Sequence, residues 1–230
     1  MTHDDSPLYD TGDPWTDGYN MAILGKTQTG KTSTARELHA ETPRVAIWMN
    51  EAGNKRVPDV AGREVNSVEG VRDAFADDCY AIELVSEDRN ADVPRLQEFL
   101  WDVAEATDRQ LQMQVTADEV DRVAPQSGKQ YGNLPARDAV RDYTSEGVKR
   151  GVKWVGITQD PTKYDKQSLR QSEYRLIFDM SAENRRSSVV SKMGLDFAAV
   201  DATDDRYTGV LHDDSGTVLD TSVKAEERYA

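Results

Sequence analysis

Residues 21–32 read MAILGKTQTGKT, and this stretch decides the fold. Its core, Gly25-Lys26-Thr27-Gln28-Thr29-Gly30-Lys31-Thr32, fits G-x-x-x-x-G-K-[ST] at every fixed position. Upstream, Met21-Ala22-Ile23-Leu24 is a short apolar run, which predicts a buried strand over 20–24 ending at Gly25. Downstream, residues 31–41 predict a helix that opens on Lys31, Thr32 and Ser33. Strand, glycine loop and helix follow in the order a phosphate cradle needs. The glycines let the backbone turn tightly and approach an anion closely. The loop N–H groups and the helix N-terminus then face the phosphates. Residues 25–33 are therefore the candidate nucleotide cradle. Lys31 is expected to reach the β- and γ-phosphates of ATP, and Thr32 to offer its hydroxyl to Mg²⁺.

A second stretch carries complementary chemistry. Leu111-Gln112-Met113-Gln114-Val115-Thr116-Ala117 predicts a strand, with Asp118-Glu119 at its end. Three polar residues make it more polar than most buried strands. If this strand neighbours the first, Asp118 falls beside the cradle, where it would hold Mg²⁺ directly or through water. Glu119 would orient and deprotonate an attacking water. Further on, Val152-Lys153-Trp154-Val155-Gly156-Ile157-Thr158 predicts a strand ending at Gln159-Asp160-Pro161. A polar side chain in Gln159's place can sense a γ-phosphate or position water.

Composition sets the frame. The chain has 230 residues, enough for one large α/β domain with a proper core. No apolar run approaches the roughly 18 residues of a membrane span, and the polar, acidic start Met1-Thr2-His3-Asp4-Asp5 shows no signal-peptide pattern. The single cysteine, Cys79, excludes an internal disulfide. There are 42 acidic against 28 basic residues, a net charge of −14. Aspartate outnumbers glutamate and arginine outnumbers lysine, as expected of a protein adapted to molar salt, where repulsion is screened over a few ångströms. Bulk acidity normally argues against nucleic acid. In molar salt the counterion-release term is small, so local contact patches count for more than net charge.

The rest of the chain alternates strands and helices. Strands are expected at 44–49, 79–85 and 174–180, with residues 50–64 a loop. Helices are expected at 92–108, 138–150 and 182–193, with another opening at Ser67. Residues 207–212 and 217–221 flank Asp213-Asp214-Ser215-Gly216 and predict a hairpin. Residues 1–18 read as a flexible N-terminal arm carrying Trp15, 19–222 as one P-loop domain and 223–230 as a polar tail. The expected fold is α/β: a P-loop NTPase with a RecA-like, mostly parallel β-sheet, helices on both faces and a C-terminal β-hairpin. Nucleotide should sit at the carboxyl ends of the strands.

These motifs together resemble a known family. Asp118-Glu119-Val120-Asp121-Arg122-Val123-Ala124-Pro125 resembles the D-E-A-H-x-x-x-P segment of the HerA/FtsK superfamily of DNA-pumping ATPases. Gly147-Val148-Lys149-Arg150-Gly151-Val152, followed by Ile157-Thr158-Gln159-Asp160-Pro161, is similar to its G-R-K-x-G-V and T-Q-x-P pair. The resemblance covers roughly residues 19–222, and the Thr-Gln-x-Pro element is its more specific part. It implies a hexameric ring, ATP hydrolysis between subunits and double-stranded DNA in the central pore. Val120 and Asp121 stand where the family has Ala-His, and Val148 where it often has arginine. The arginine acting on a neighbour's site is therefore sought first at Arg150, then at Arg141 and Arg137. Pore-loop candidates are Lys55-Arg56 and the 125–137 loop with Lys129 and Tyr131. A bare motor of this size, without a large N-terminal β-barrel or membrane anchor, is similar to the genome-packaging ATPases of tailless, membrane-containing viruses. With the salt-adapted composition this implies a haloarchaeal virus, capsid or internal-membrane vertex proteins as partners, and the host cytoplasm or virion vertex as location. The rival expectations are a HerA-type DNA mobilisation or repair motor and a nucleotide-gated assembly ATPase that does not translocate DNA.

Overall fold

β1, Met21–Leu24, is buried at all four positions, because it lies inside a nine-stranded sheet covered on both faces. The computed structural model describes residues 17–42, 45–51, 62–109, 111–127, 134–203 and 206–224. Successive β1 side chains point to opposite faces. Met21 and Ile23 pack with Ala35, Trp48, Val155, Ile157, Phe178 and Leu211. Ala22 and Leu24 enter a larger core on the other face with Ile47, Val71, Leu96, Val115, Val140 and Trp154. Burial on both faces is why β1 reads as a continuous apolar run rather than an alternating one.

The remaining strands are β2 (Val45–Glu51), β3 (Arg63–Val65), β4 (Ala81–Ser86), β5 (Met113–Ala117), β6 (Val152–Thr158), β7 (Tyr174–Ile177), β8 (Thr208–His212) and β9 (Val218–Lys224). Their spatial order is β3-β4-β2-β5-β6-β1-β7-β8-β9. β3 through β7 pair in parallel, and β8 and β9 close the sheet as an antiparallel hairpin. The helices are α1 (Lys31–Glu41), α2 (Val68–Ala76), α3 (Arg89–Ala106), α4 (Val120–Val123), α5 (Leu134–Asp142), α6 (Lys166–Arg170), α7 (Ala182–Arg186) and α8 (Phe197–Asp201).

Several expectations change. The cradle strand β1 and the acidic strand β5 are not neighbours: β6 lies between them. β3 adds an edge strand that begins at the end of the expected loop 50–64 and runs one residue past it. The expected helix 182–193 breaks after Arg186, where Ser187 is extended (ψ 147°) and its hydroxyl accepts from Val190 N at 3.2 Å. A serine that bonds its own backbone competes with the helical ladder. The helix expected at 138–150 starts earlier, at Leu134, so Arg137 lies on a helix and not in a loop. It then widens into a π-helical turn, Tyr143–Gly147, and a 3-10 turn, Val148–Arg150. Thr144 Oγ1 and Ser145 Oγ donate back to the carbonyls of Val140 and Arg141 there, at 3.1 and 2.8 Å. Gln114 and Thr116 are buried and bond each other at 3.3 Å, which lets β5 carry polar residues inside the sheet.

Candidate functional site

The loop after β1 owes its shape to two glycines. A Cβ on Gly25 would stand 2.7 Å from Phe178 Cβ, so only glycine lets the loop cross the end of β7. Gly30, at the mouth of α1, has φ 90°, a left-handed conformation that costs glycine little. Thr29 Oγ1 donates to Lys26 O at 2.9 Å and the Lys31 ammonium donates to the same carbonyl. The loop thus curls around its own lysine. Burial lowers the Lys31 pKa to about 8, partly opposed by the nearby Asp118 carboxylate.

β5 delivers Asp118 to this loop although β6 intervenes. Thr32 Oγ1 donates to Asp118 Oδ2 at 2.8 Å, and Asp118 Oδ1 accepts from Glu119 N at 2.7 Å. Arg89, buried at the start of α3, donates to Asp118 O at 2.6 Å and fixes the turn from behind. Glu119 has φ 50°. Its carboxylate pairs with Arg122 at 3.0 Å, and Arg122 also meets Glu51 at 3.1 Å. Asp121, which replaces the histidine of the resembled motif, accepts from Thr158 Oγ1 at 2.6 Å and ties α4 to the end of β6.

The intervening strand has a consequence for chemistry. β6 ends between the cradle and the acid pair, so Gln159 emerges between them. Thr27 Oγ1 donates to Gln159 Oε1 at 2.5 Å, and Asn184 Nδ2 donates to Gln159 O at 3.3 Å. Residues 27–33, Asp118, Glu119 and Gln159 together line one cavity of about 440 Å³. Of the residues sought as cradle groups, Gly25 and Lys26 sit outside its lining. Lys26 Nζ instead bonds Asp179 Oδ2 at 2.8 Å. Asp179 continues to Arg185 at 3.1 Å, and Arg185 to Asp201 at 2.5 Å. This chain of charges ties the loop to α7 and α8. It was invisible in sequence because its members are scattered; the Arg185-Arg186 pair was the one local signal.

The hydroxyl and carboxylate in contact at Thr32 and Asp118 are hard oxygen donors on the cavity wall. Among the described residues no group of three His, Cys, Asp or Glu side chains could hold a metal unaided. The Thr32–Asp118 oxygen pair suits Mg²⁺, which takes one or two protein ligands and completes its shell with water and phosphate oxygens. A triphosphate in the cradle would also find donors in the loop amides, in the Lys31 ammonium and in the Thr29, Thr32 and Ser33 hydroxyls.

Arg150 is not near this cavity. It precedes β6, whose seven residues span about 23 Å. Its guanidinium lies over the Trp101 ring at 5.2 Å and pairs loosely with Glu105 at 3.4 Å. Arg141 is held in a two-pronged pair by the buried Asp165 at 3.1 and 2.7 Å, and Arg137 meets Asp138 at 3.5 Å. Lys55, Arg56, Lys129, Tyr131 and Trp15 lie outside the described residues.

No family profile matches the sequence, and no curated protein matches it. Solved structures do match. The genome packaging NTPase B204 from Sulfolobus turreted icosahedral virus 2, in complex with ATP-gammaS, is similar with a TM-score of 0.65 and 14% identity, over 88% of this chain and 96% of that one. VirB4 of Thermoanaerobacter pseudethanolicus follows with a TM-score of 0.61 and 13% identity, over 90% and 89%. The pCW3 conjugation coupling protein TcpA gives 0.60 and 10%, over 92% of this chain and 62% of that one. The class defined is one of fold: the chain shares with these solved structures an α/β architecture built on a mostly parallel sheet, and its own sheet closes on a C-terminal antiparallel strand pair. No helix among the described residues is long and apolar enough to cross a membrane.

Proposed function

We propose that this protein is an ATPase that works as a ring and drives double-stranded DNA into a viral capsid. The observation that carries the reading is the convergence of Thr27, Thr32, Asp118, Glu119 and Gln159 on one cavity, from segments 86 and 132 residues apart. Water activation, not transfer to a metabolite, suits an acid pair facing a glutamine. Lys31 neutralises the β- and γ-phosphates, and Glu119 takes the proton of the attacking water. Gln159 senses the γ-phosphate through its amide. Mg²⁺ held by Thr32 and Asp118 would offset the charge developing on the phosphate oxygens. Arg150 of a neighbouring subunit is the first candidate for stabilising the transition state, which agrees with its distance from the cavity of its own chain. The acidic composition supports a salt-adapted viral setting, with the capsid or vertex as docking partner. The likeness to VirB4 and TcpA at comparable TM-scores favours a second reading, the same motor mobilising plasmid or cellular DNA.

The test is ATP hydrolysis in molar KCl with and without duplex DNA, for the wild type and for Glu119→Gln and Arg150→Ala. DNA should stimulate the wild type. Glu119→Gln should cost about 10²–10⁴-fold in turnover while ATP still binds. Arg150→Ala should be slow only once rings form. Activity surviving in Glu119→Gln would remove the assigned base, and turnover indifferent to DNA would overturn the translocase.

A further inference from the structure

The triphosphate cavity is asymmetric, and the asymmetry says where the rest of the ligand goes. All its acid and sensor groups, Asp118, Glu119 and Gln159, directly follow β5 and β6, which lie on one side of β1. A γ-phosphate addressed by those groups directs the nucleoside the opposite way, across the mouth of α1 towards β7 and β8. Because β8 runs antiparallel to β7, its first residues lie at the carboxyl edge of the sheet, level with the cradle. Tyr207 stands immediately before β8 at that edge. A Cβ on Gly30 would lie 3.6 Å from Tyr207 O and 3.8 Å from Tyr207 Cδ1. The ring therefore borders the cradle on the side away from the acid pair. Tyr207 is nevertheless 42% exposed, one of few large aromatic side chains so placed among the described residues. The Arg206 guanidinium lies over its ring at 4.7 Å and donates to its hydroxyl.

We infer that Tyr207, backed by Arg206, is the platform on which the base of a nucleoside triphosphate stacks. This rests on the reading of residues 25–33 as a triphosphate cradle and extends it to the base. The π-face of an aromatic ring accepts any base, and a guanidinium over the ring adds a cation–π contribution. Recognition by stacking does not read the hydrogen-bonding edge of the base, so adenine and guanine are accepted almost equally.

The test measures equilibrium binding by calorimetry to the full chain with Mg²⁺, using ATP, GTP and base-free inorganic tripolyphosphate. Proteins are the wild type, Tyr207→Phe and Tyr207→Ala. The wild type should prefer ATP over tripolyphosphate by about tenfold, the usual scale of one aromatic stack. Tyr207→Phe should keep that preference. Tyr207→Ala should lose it while binding tripolyphosphate as the wild type does, and GTP should stay within about threefold of ATP throughout. Equal losses for ATP and tripolyphosphate in Tyr207→Ala, or an undiminished preference, would overturn the platform. A large preference for ATP over GTP would overturn recognition by stacking. Wild type that binds neither ATP nor tripolyphosphate would overturn the cradle itself, and the platform with it.

Discussion

Lys31 and Lys153 are both buried, at 5% and 2% exposure, and they sit at opposite edges of the same sheet. Lys31 follows β1 at the carboxyl edge and lines a cavity. Lys153 opens β6 at the amino edge, where Nζ donates to Asp17 O at 3.2 Å and lies 3.8 Å from the fully buried Asp17 Oδ1. The Asp17 carboxylate also accepts from Tyr174 OH at 2.7 Å and Tyr19 N at 3.0 Å. One ammonium is enclosed by groups that leave room for an anion. The other closes a knot that fastens the segment before β1 to β6 and β7. Burial of a charge alone therefore does not mark a site; what matters is whether its surroundings leave space for a ligand.

The largest effects separate the two. Lys31→Ala should lower kcat/KM for ATP by at least about 10²-fold, since it removes a preorganised cation from the phosphates, and leave the urea midpoint nearly unchanged. Lys153→Met should do the reverse. Breaking a buried pair by removing one partner costs about 3 kcal/mol, visible in urea unfolding, while the folded protein still binds ATP with wild-type affinity. Were Lys153→Met to abolish binding with stability intact, the amino edge would belong to the site and the distinction would fail.

The two edges also differ in how legible they were. The cradle was readable because its conformation is local: Gly25, Gly30 and Lys31 act within a few residues. Asp118 and Glu119 were readable as a pair, but their route to Thr32 was not. Strand order depends on contacts between distant segments, and nothing in residues 111–119 reveals that β6 intervenes. That insertion is what brings Gln159 to the cavity, so the same unreadable topology supports a residue that was found by motif. β3 escaped notice because Arg63-Glu64-Val65 is a three-residue edge with exposed polar side chains. α8 has only five residues and is marked by Asp196, whose carboxylate accepts from Ala198 N and Ala199 N. Tyr207 could have been noticed as an aromatic residue just before the closing hairpin, but its nearness to Gly30 is tertiary. At the amino edge, Asp17 and Lys153 are 136 residues apart and carry no motif.

An intermediate effect tests the amino edge by pH. Glu173, beside β7, accepts from Asn20 N at 2.9 Å. Burial raises its pKa to about 7, and the facing Asp214 and Asp17 add to the rise. The facing Arg175 is itself pushed down by burial. Between pH 4.5 and 7 the folded state binds more protons at this carboxyl than the unfolded state does, so stability falls as pH rises through that window. Glu173→Gln keeps the acceptor oxygen and removes the ionisation. It should match the wild type near pH 4 and exceed it by about 3 kcal/mol at pH 8. Urea titrations at the two pH values give the difference, and an equal gap between wild type and Glu173→Gln at both would mean the carboxyl titrates normally.

The smallest effect bears on the carboxyl edge and concerns one hydrogen bond. Thr27 Oγ1 donates to Gln159 Oε1 at 2.5 Å, which engages the amide oxygen of this cavity-lining residue and leaves the amide N–H groups as what it can offer a ligand. An amide oriented this way presents a donor to a γ-phosphate or to water. Thr27→Val keeps the volume and deletes the hydroxyl, which should cost about 1 kcal/mol of orientation. That is roughly fivefold in kcat, with ATP affinity unchanged. The loss should vanish when Gln159 is already alanine, because the two residues would act as one unit in a double-mutant cycle. If Thr27→Val instead raises kcat, the hydroxyl holds Gln159 away from the phosphate until ATP arrives, and the bond is a restraint on the sensor and not its support. Equal losses in the Gln159 and Gln159→Ala backgrounds would assign the effect to the loop alone and remove Gln159 from the role given to Thr27.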